Sequence, residues 1–538
     1  MGRRRAVAAV ALAIGAVALV QQAWVSPANF GGADEWLLLD LSSRGILGVP
    51  YANRPLAILW QTPAAILFPG DLRGFWLLAT LYLATTGALT AWLAARLAPG
   101  ARTLALLAGV TAVAWAPLDY LRLDAVLICG YAGGTATTFA ALVLFVEAWH
   151  ARRVAILALG AALGLTVALG GESALPVLAV APALTWREGR GEPRRFALWA
   201  LAWESTVALG AVRALFPLLS GRPSYQTGAI GFDPSPLGVG ARLLQLLGMQ
   251  VGPLFSSSPA ELAARAVPLA ALAFAVGLSI LPREESSGRG RESEGRALAF
   301  VFAAGLLLAV AAHAAFALGA AVRTPARTQV LSAPGFALAL ATAIVAAARL
   351  VAPRWRRPVT GLIGAWIVAV GTGRVVAMQG EWDASRTAYP AQARTLSSLV
   401  AAAPDLERGS LVLLLDESGA WPMTFTFRHA LRYVYGEGVV GVVRGGADFL
   451  YPWRVVDQGI VVSPWPVIRS EWQVAPSLHP WESILVAHAD ASGNVSILSR
   501  WPEGVLPPLP ANARYAPKAR LRPTPVRERE RGALGGRT

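Results

Sequence analysis

Several charged residues of this chain stand at the edges of long apolar blocks, where a charge is costly unless it is used. Asp34 and Glu35 follow the first block directly. Later come Asn53-Arg54-Pro55-Leu56 and then Pro117-Leu118-Asp119-Tyr120-Leu121-Arg122-Leu123-Asp124, where two carboxylates and a guanidinium exceed what a short linker needs. Carboxylates supply general bases and hard-cation ligands, and guanidinium groups clamp phosphate. Asp119 and Asp124 are therefore candidates to bind a divalent ion or a sugar hydroxyl, and Arg54 and Arg122 to meet phosphate or headgroup oxygens. Glu172 lies between two apolar blocks, Arg323 and Arg327 precede Ser332-Ala333-Pro334-Gly335, and Arg374 stands near the end of the last block. Each has an ordinary alternative. Asp34 sits where an N-cap belongs, His313 inside a block suits a helix–helix hydrogen bond, and block-end arginines snorkel toward anionic lipid.

The elements that must position these residues are helices in lipid. Of the 538 residues, 55% are hydrophobic, mean hydropathy is +0.50, and the apolar residues gather in blocks about as long as a helix crossing a hydrocarbon core of about 30 Å. The ten-residue alternation of a membrane barrel is absent. The blocks are 5–24, 74–95, 102–118, 128–149, 153–169, 173–186, 196–217, 260–281, 296–321, 329–351 and 358–377, which predicts about 11 transmembrane helices. The stretch 54–69, broken by Pro55, Pro63 and Pro69, reads as a helix at the interface or packed on the bundle, with a twelfth span as the alternative. Met1 to Val20 resembles a signal peptide, but the spans that follow favour an uncleaved first helix.

Net charge is +15, almost all from arginine, with Lys518 the only lysine. In a soluble chain this would raise nucleic-acid binding; here many arginines lie in alternate short connections: Arg96 and Arg102, Arg152 and Arg153, Arg187 to Arg195, Arg283 to Arg296, Arg354 to Arg357. That bias predicts a cytoplasmic N-terminus, an extracytoplasmic C-terminus and no nucleic-acid partner. The preference for arginine, alanine and glycine suggests a GC-rich bacterial genome and hence a bacterial inner membrane. Cys129 is the only cysteine, which excludes an intramolecular disulfide and a cysteine metal cluster. Two outer connections, 25–73 and 218–259, are long enough to suggest function, and each carries an amphipathic piece, Asp34 to Arg44 and 237–250.

Three units follow: a membrane domain over 1–378, an extracytoplasmic α/β or α+β domain over 379–507, and a Pro/Arg-rich tail over 508–538 with little to bury. In the second unit, helices are predicted over Tyr389 to Ala402 and Thr426 to Tyr435, with strands at Leu411–Leu415, Val439–Val443, Gly459–Val462, Ser483–Ala487 and Val495–Leu498. His429, His479 and His488 lack the short spacings of a zinc site.

The acidic pair in the first outer loop, the Arg-Pro-Leu element after it, the acidic second loop, Glu172 in the third, the segment Arg327 to Gly335 and a domain after the last span together resemble the GT-C superfamily of integral membrane glycosyltransferases. The likeness is to the protein O-mannosyltransferase-like, bacterial polyprenyl-phosphate-sugar-dependent branch, and it covers the layout of nearly the whole chain. It implies a GT-C-like bundle and transfer of a sugar from a polyprenyl-phosphate donor to a lipid, glycan or protein acceptor on the outer side, usually with inversion. It also implies roles. Asp34 is the general base; Glu35 supports it or helps bind a metal; Asp119 or Asp124 orients acceptor or metal. Arg54, with Arg323, Arg327 or Arg374, stabilises the departing phosphate, a role Arg122 also fits. Glu172 and Tyr120 are read as substrate or acceptor contacts. A divalent cation, magnesium or manganese on Asp34 and Asp124, is admitted but not required. The competing reading is a non-enzymatic transporter or an envelope assembly scaffold, although no inverted repeat is evident.

Overall fold

The computed structural model describes the chain apart from residues 1, 31–33, 49–53, 116, 118–121, 220–232, 257–290, 320–324, 385–388, 405, 446–449, 467–468, 470–473 and 518–538. Its first part is helical: α1 (Gly2–Gln22), α2 (Glu35–Ser43), α3 (Thr62–Leu67), α4 (Leu72–Leu97), α5 (Arg102–Val113), α6 (Ala125–Ala151), α7 (Val154–Gly170), α8 (Leu175–Ala179), α9 (Ala181–Gly189), α10 (Pro193–Leu219), α11 (Pro236–Val251), α12 (Arg291–Ala317), α13 (Pro325–Ala348) and α14 (Pro353–Asp383).

This is a multi-pass helical membrane protein, but the expected count of about 11 spans is not what the structure contains. Among the described residues five helices are long and apolar enough to cross a membrane: α4, α6, α14 and the apolar parts of α12 and α13, Glu294–Ala317 and Gln329–Ala348. Three further apolar stretches, Val7–Gln22, α5 and α7, are shorter. At 1.5 Å per residue the 12 residues of α5 reach only about 18 Å against a core of about 30 Å. Every residue of α5 from Leu104 to Val113 is buried, so its uniform hydrophobicity is that of a helix enclosed by other helices rather than one facing lipid. The block at 173–186 is a 3₁₀ turn followed by α8 and α9, split where Pro176 and Pro182 fall in first turns. Helix α10 is long, yet Arg194, Arg195, Glu204 and Arg213 interrupt its apolar character. The block at 260–281 lies outside the described residues. The stretch 54–69 is turns and the six-residue α3, far too short to cross.

The basic connections nonetheless gather at one end of the bundle. Arg96 at the end of α4 pairs with Glu147 near the end of α6, Arg152 and Arg195 both reach Glu192, and Arg349 at the end of α13 reaches Glu294 at the start of α12.

After α14 the chain forms α15 (Tyr389–Ala402) and α16 (Thr424–Tyr435) with strands β1 (Leu411–Asp416), β2 (Val440–Arg444), β3 (Trp453–Val456), β4 (Gly459–Val462), β5 (Ser477–Pro480), β6 (Ile484–Ala489) and β7 (Val495–Ile497). The main sheet runs β2-β1-β6-β7, its first three strands parallel and β7 antiparallel; β3-β4-β5 form an antiparallel sheet. Leu411 to Leu414 are wholly buried, as a parallel strand covered on both faces requires. The start of the Pro/Arg-rich stretch is tied to the sheet: the Tyr515 hydroxyl donates to Leu498 O and accepts from Val486 N.

Helix α2, expected to be amphipathic, is buried from Glu35 to Ser42. It is wedged between the bundle, where it meets α3 and α6, and the C-terminal unit, where it meets α16. Trp36 is the pin. Its indole donates to Gln392 Oε1 at 2.7 Å, Gln392 donates on to Ala420 O at 3.0 Å, and the ring packs on Trp421 and Tyr433. One turn further, Asp40 pairs with Arg44 (2.9 Å) and Arg432 (3.2 Å), and both arginines reach Glu437. Burial outweighs these cations and still holds the Asp40 carboxyl above its usual range.

Behind this network, burial, aided by Arg428, Arg432 and Arg44, holds His429 well below 6.5, and burial does the same for His479. Below pH 6.5 the unfolded chain binds protons there that the folded chain does not, so stability falls with pH. The slope is at most about 1.4 kcal/mol per pH unit for each histidine. Thermal unfolding in detergent should show this loss on going from pH 7.5 to 5.5, flattened in His429→Gln; an unchanged slope in that variant contradicts the assignment.

Candidate functional site

The site lies at the end of the bundle away from the basic connections, and loop one builds it. The chain leaves α1 and turns through Ser26 to Phe30, held by reciprocal amide bonds between Asn29 and Gln379 of α14 (2.6 and 3.0 Å) and by Ser26 N on Gln379 Oε1 (3.1 Å). Asn29 O in turn accepts from Ala125 N at 3.0 Å. Loop one is thus clamped between the last long helix and the start of α6. Phe30 then packs edge-on against Trp36, which brings Asp34 and Glu35 over the N-terminus of α6.

There the sequence-predicted acids of two loops meet. Asp124 is the N-cap of α6: its Oδ1 accepts from Val126 N (3.0 Å) and Leu127 N (2.8 Å). Its Oδ2 is buried without a hydrogen-bond partner among the described residues, and the Glu35 carboxyl is near enough for its charge to act on Asp124. Exposure is 0% for Asp124 and 1% for Glu35. Two carboxylates so enclosed cannot both be ionised, and a hydrogen bond between them needs a proton. Burial first, and then the charge and hydrogen bond of Glu35, raise Asp124 well above the carboxylate range against the pull of the Leu127 and Val126 amides.

This geometry separates two substitutions. Asp124→Ala orphans two amides and should cost about 0.5–2 kcal/mol, whereas Asn keeps the cap and can donate to an ionised Glu35, leaving stability near wild type. Thermal unfolding of both variants is the measurement; equal losses would show that the cap is not what Asp124 contributes.

Arg122, two residues earlier, is 5% exposed. Its Nη1 donates to Gln22 Oε1 at 3.2 Å, its Nη2 has no partner among the described residues, and no described carboxylate pairs with it. Burial lowers its pKa to about 10, so it remains a cation. At the C-terminus of α1, Gln22 Nε2 and both amide atoms of Gln21 are also buried without a hydrogen-bond partner among the described residues. Gln21 reaches this position because α14 offers Gly371 there. A Cβ on Gly371 would fall 1.7 Å from Ala114 O and 2.9 Å from Gln21 Nε2, so the helix backbones close up only around a glycine. Buried donors without acceptors are expensive, and a guanidinium with adjacent amide donors is what an anion would satisfy.

The other candidates are placed as follows. Asp34 is half-buried at the N-cap position of α2, and its side chain makes no cap hydrogen bond. Arg54 and Glu172 form a two-point ion pair, Nε to Oε2 at 2.8 Å and Nη2 to Oε1, each side chain 30% exposed; Arg54 meets phosphate only by exchanging this partner. Arg374 pairs with Glu381 at 3.5 Å along α14. Arg327 lies in the first turn of α13; its side chain, and Asp119, Tyr120 and Arg323, lie outside the described residues. His313, buried in α12, has no hydrogen-bond partner among them. No group of three or more His, Cys, Asp or Glu side chains converges among the described residues. The Glu35–Asp124 pair offers two carboxylates to a cation, fewer ligands than a divalent ion takes from a protein site of its own. Sequence reading missed Gln21, Gln22, Asn29 and Gln379; the signal available was amides at the polar margins of apolar blocks.

No family model matches the chain, and no curated protein matches it. Among solved structures it is similar to the Archaeoglobus fulgidus oligosaccharyltransferase tethered with an acceptor peptide containing the NVT sequon, at 13% identity and TM-score 0.38 over 80% of this chain and 63% of that one. It is similar to the same protein in complex with Zn and sulfate at 13% identity and TM-score 0.39, over 80% and 62%. The chain thus spans less than two thirds of either.

Proposed function

We propose that this membrane protein is a glycosyltransferase of the GT-C kind, moving a sugar from a polyprenyl-phosphate donor to a lipid, glycan or protein acceptor on the extracytoplasmic side. The observation that carries the reading is the buried Glu35–Asp124 carboxyl pair and, two residues before Asp124 in the chain, the buried Arg122, with which no described carboxylate pairs. In this mechanism the acceptor hydroxyl attacks the anomeric carbon while Asp34 takes its proton. The bond from that carbon to the phosphate oxygen breaks, and the oxygen leaves with the electron pair. Arg122, with the Gln22 amide beside it, stabilises the charge that grows on it, more in the transition state than in the ground state. Glu35, held by Asp124, fixes the segment that presents Asp34.

Sidedness tests the proposal. The protein is reconstituted into sealed vesicles whose orientation is read from protease access to the C-terminal unit, with donor in the bilayer and acceptor on one side only. Transfer is expected only when acceptor and C-terminal unit share a side. Transfer from the opposite side overturns the extracytoplasmic assignment, and passage of donor or glycan across the bilayer without transfer favours a transporter.

A further inference from the structure

Far along the chain from Arg122, a second guanidinium also has no counter-charge among the described residues. Arg428, in the first half of α16, has its Nη1 buried without a hydrogen-bond partner among the described residues, and no described carboxylate pairs with it; its guanidinium lies over the Tyr451 ring, 4.5 Å from the centroid. It is next to a cavity of about 810 Å³ at the starts of β1, β2 and β6, whose lining includes Arg408, Arg428, Ser410, His479 and the two carboxylates Glu407 and Glu482. That volume is in the range of small-molecule sites. His479 is a fixed neutral wall: Nδ1 bonds Gly409 O at 2.8 Å, which requires it to donate, and Nε2 then accepts from the Ser477 hydroxyl at 2.9 Å. Arg408 is laid across Gly438, whose backbone sits at φ +109 and where a Cβ would fall 2.3 Å from Arg408 Cγ. The absence of a side chain at 438 thus lets the second guanidinium lie along the rim.

We propose that this cavity binds an anionic sugar through a carboxylate or phosphate group held between Arg428 and Arg408. Three features favour an anion attached to a polyol over a bare ion. The cavity is much larger than an oxyanion. Glu482 lines it and can accept from hydroxyls. Arg428 lies over Tyr451, no described carboxylate pairs with it, and its Nη1 is a donor without a described partner, which a planar or tetrahedral oxyanion would satisfy. The ligand is a uronic acid or sugar phosphate, free or as part of a glycan. The site is separate from the loop-one carboxyl pair and does not depend on the glycosyl-transfer reading.

The test is calorimetric titration of the full-length protein in detergent with glucuronate, glucose 6-phosphate, inorganic phosphate and glucose, on wild type, Arg428→Met, Arg408→Gln and Arg122→Gln. At least one acidic sugar should bind ten-fold or more tighter than glucose and tighter than phosphate. Arg428→Met should abolish that preference, Arg408→Gln should weaken binding several-fold, and Arg122→Gln should leave it intact. Arg428 is half-buried, and methionine keeps a side chain of similar reach against Tyr451, so Arg428→Met should stay folded with an unfolding temperature near wild type, and loss of binding there is loss of the site. Equal affinity for glucuronate, glucose 6-phosphate and glucose, binding that survives Arg428→Met, or binding lost only in Arg122→Gln each overturns the proposal; phosphate bound as tightly as the acidic sugars reduces it to a bare anion site. Wild-type turnover plays no part in this readout, so failure here leaves the transfer reading standing, and failure of transfer leaves this site standing.

Discussion

Asp34→Asn is expected to lower sugar transfer by roughly 10²–10⁴-fold, the contribution typical of a general base, with donor affinity unchanged. The substitution keeps size and helix-start propensity, and because the Asp34 side chain does not cap α2, no hydrogen bond of that helix is lost. Glu35, Trp36 and the Gln392 relay should stay in place, so expression and unfolding temperature should match wild type. The measurement is kcat with a saturating polyprenyl-phosphate sugar. Turnover within a few fold of wild type would remove Asp34 from the mechanism and move the base role to Glu35, whose release from Asp124 would then have to accompany substrate binding.

Arg122→Gln is expected to cost roughly 10²–10³-fold in kcat/KM, as loss of a donor aimed at developing charge does. Its second signature is the opposite effect on stability. Arg122 is 5% exposed with Gln22 as its described partner and no described carboxylate beside it, and replacing a buried cation of that kind with a neutral side chain should leave the protein as stable or more so. A loss of activity with equal or higher unfolding temperature is the combination predicted. Loss of both would mean that Arg122 holds loop two in place instead of meeting the donor phosphate.

What the sequence discloses is mostly local. Helix Tyr389–Ala402 and strand Gly459–Val462 fall where punctuation and periodicity put them, because each is bounded by residues that cannot continue it. Strands β3 and β5 were invisible for equally local reasons: β5 is Ser-Leu-His-Pro, tolerable only at the edge of its sheet. The span count fails because hydropathy registers apolar composition and not what surrounds it. Residues 102–118 are as apolar as a span, yet the helix there is 12 residues long and enclosed. The bacterial assignment rests on residue usage, on which the fold is silent.

In the site, the residue types at Glu35, Arg122 and Asp124 mark them out, but their meeting does not follow from spacing. It depends on loop one being clamped between Gln379 and Ala125 and on α2 being buried under a domain that begins more than 300 residues later, contacts encoded only in the tertiary fold. The Arg54–Glu172 pair is the converse: two candidates read separately as ligand contacts are partners of each other.

The central claim is that this cluster uses a lipid phosphate as a leaving group. The most direct measurement is release of polyprenyl phosphate, separated from its sugar-bearing form, by purified protein in a single turnover with a panel of acceptors. The account predicts release coupled one-to-one to glycosylated acceptor, abolished in Asp34→Asn and Arg122→Gln. Folded wild-type protein that binds the donor yet neither transfers nor hydrolyses it with any acceptor would contradict it.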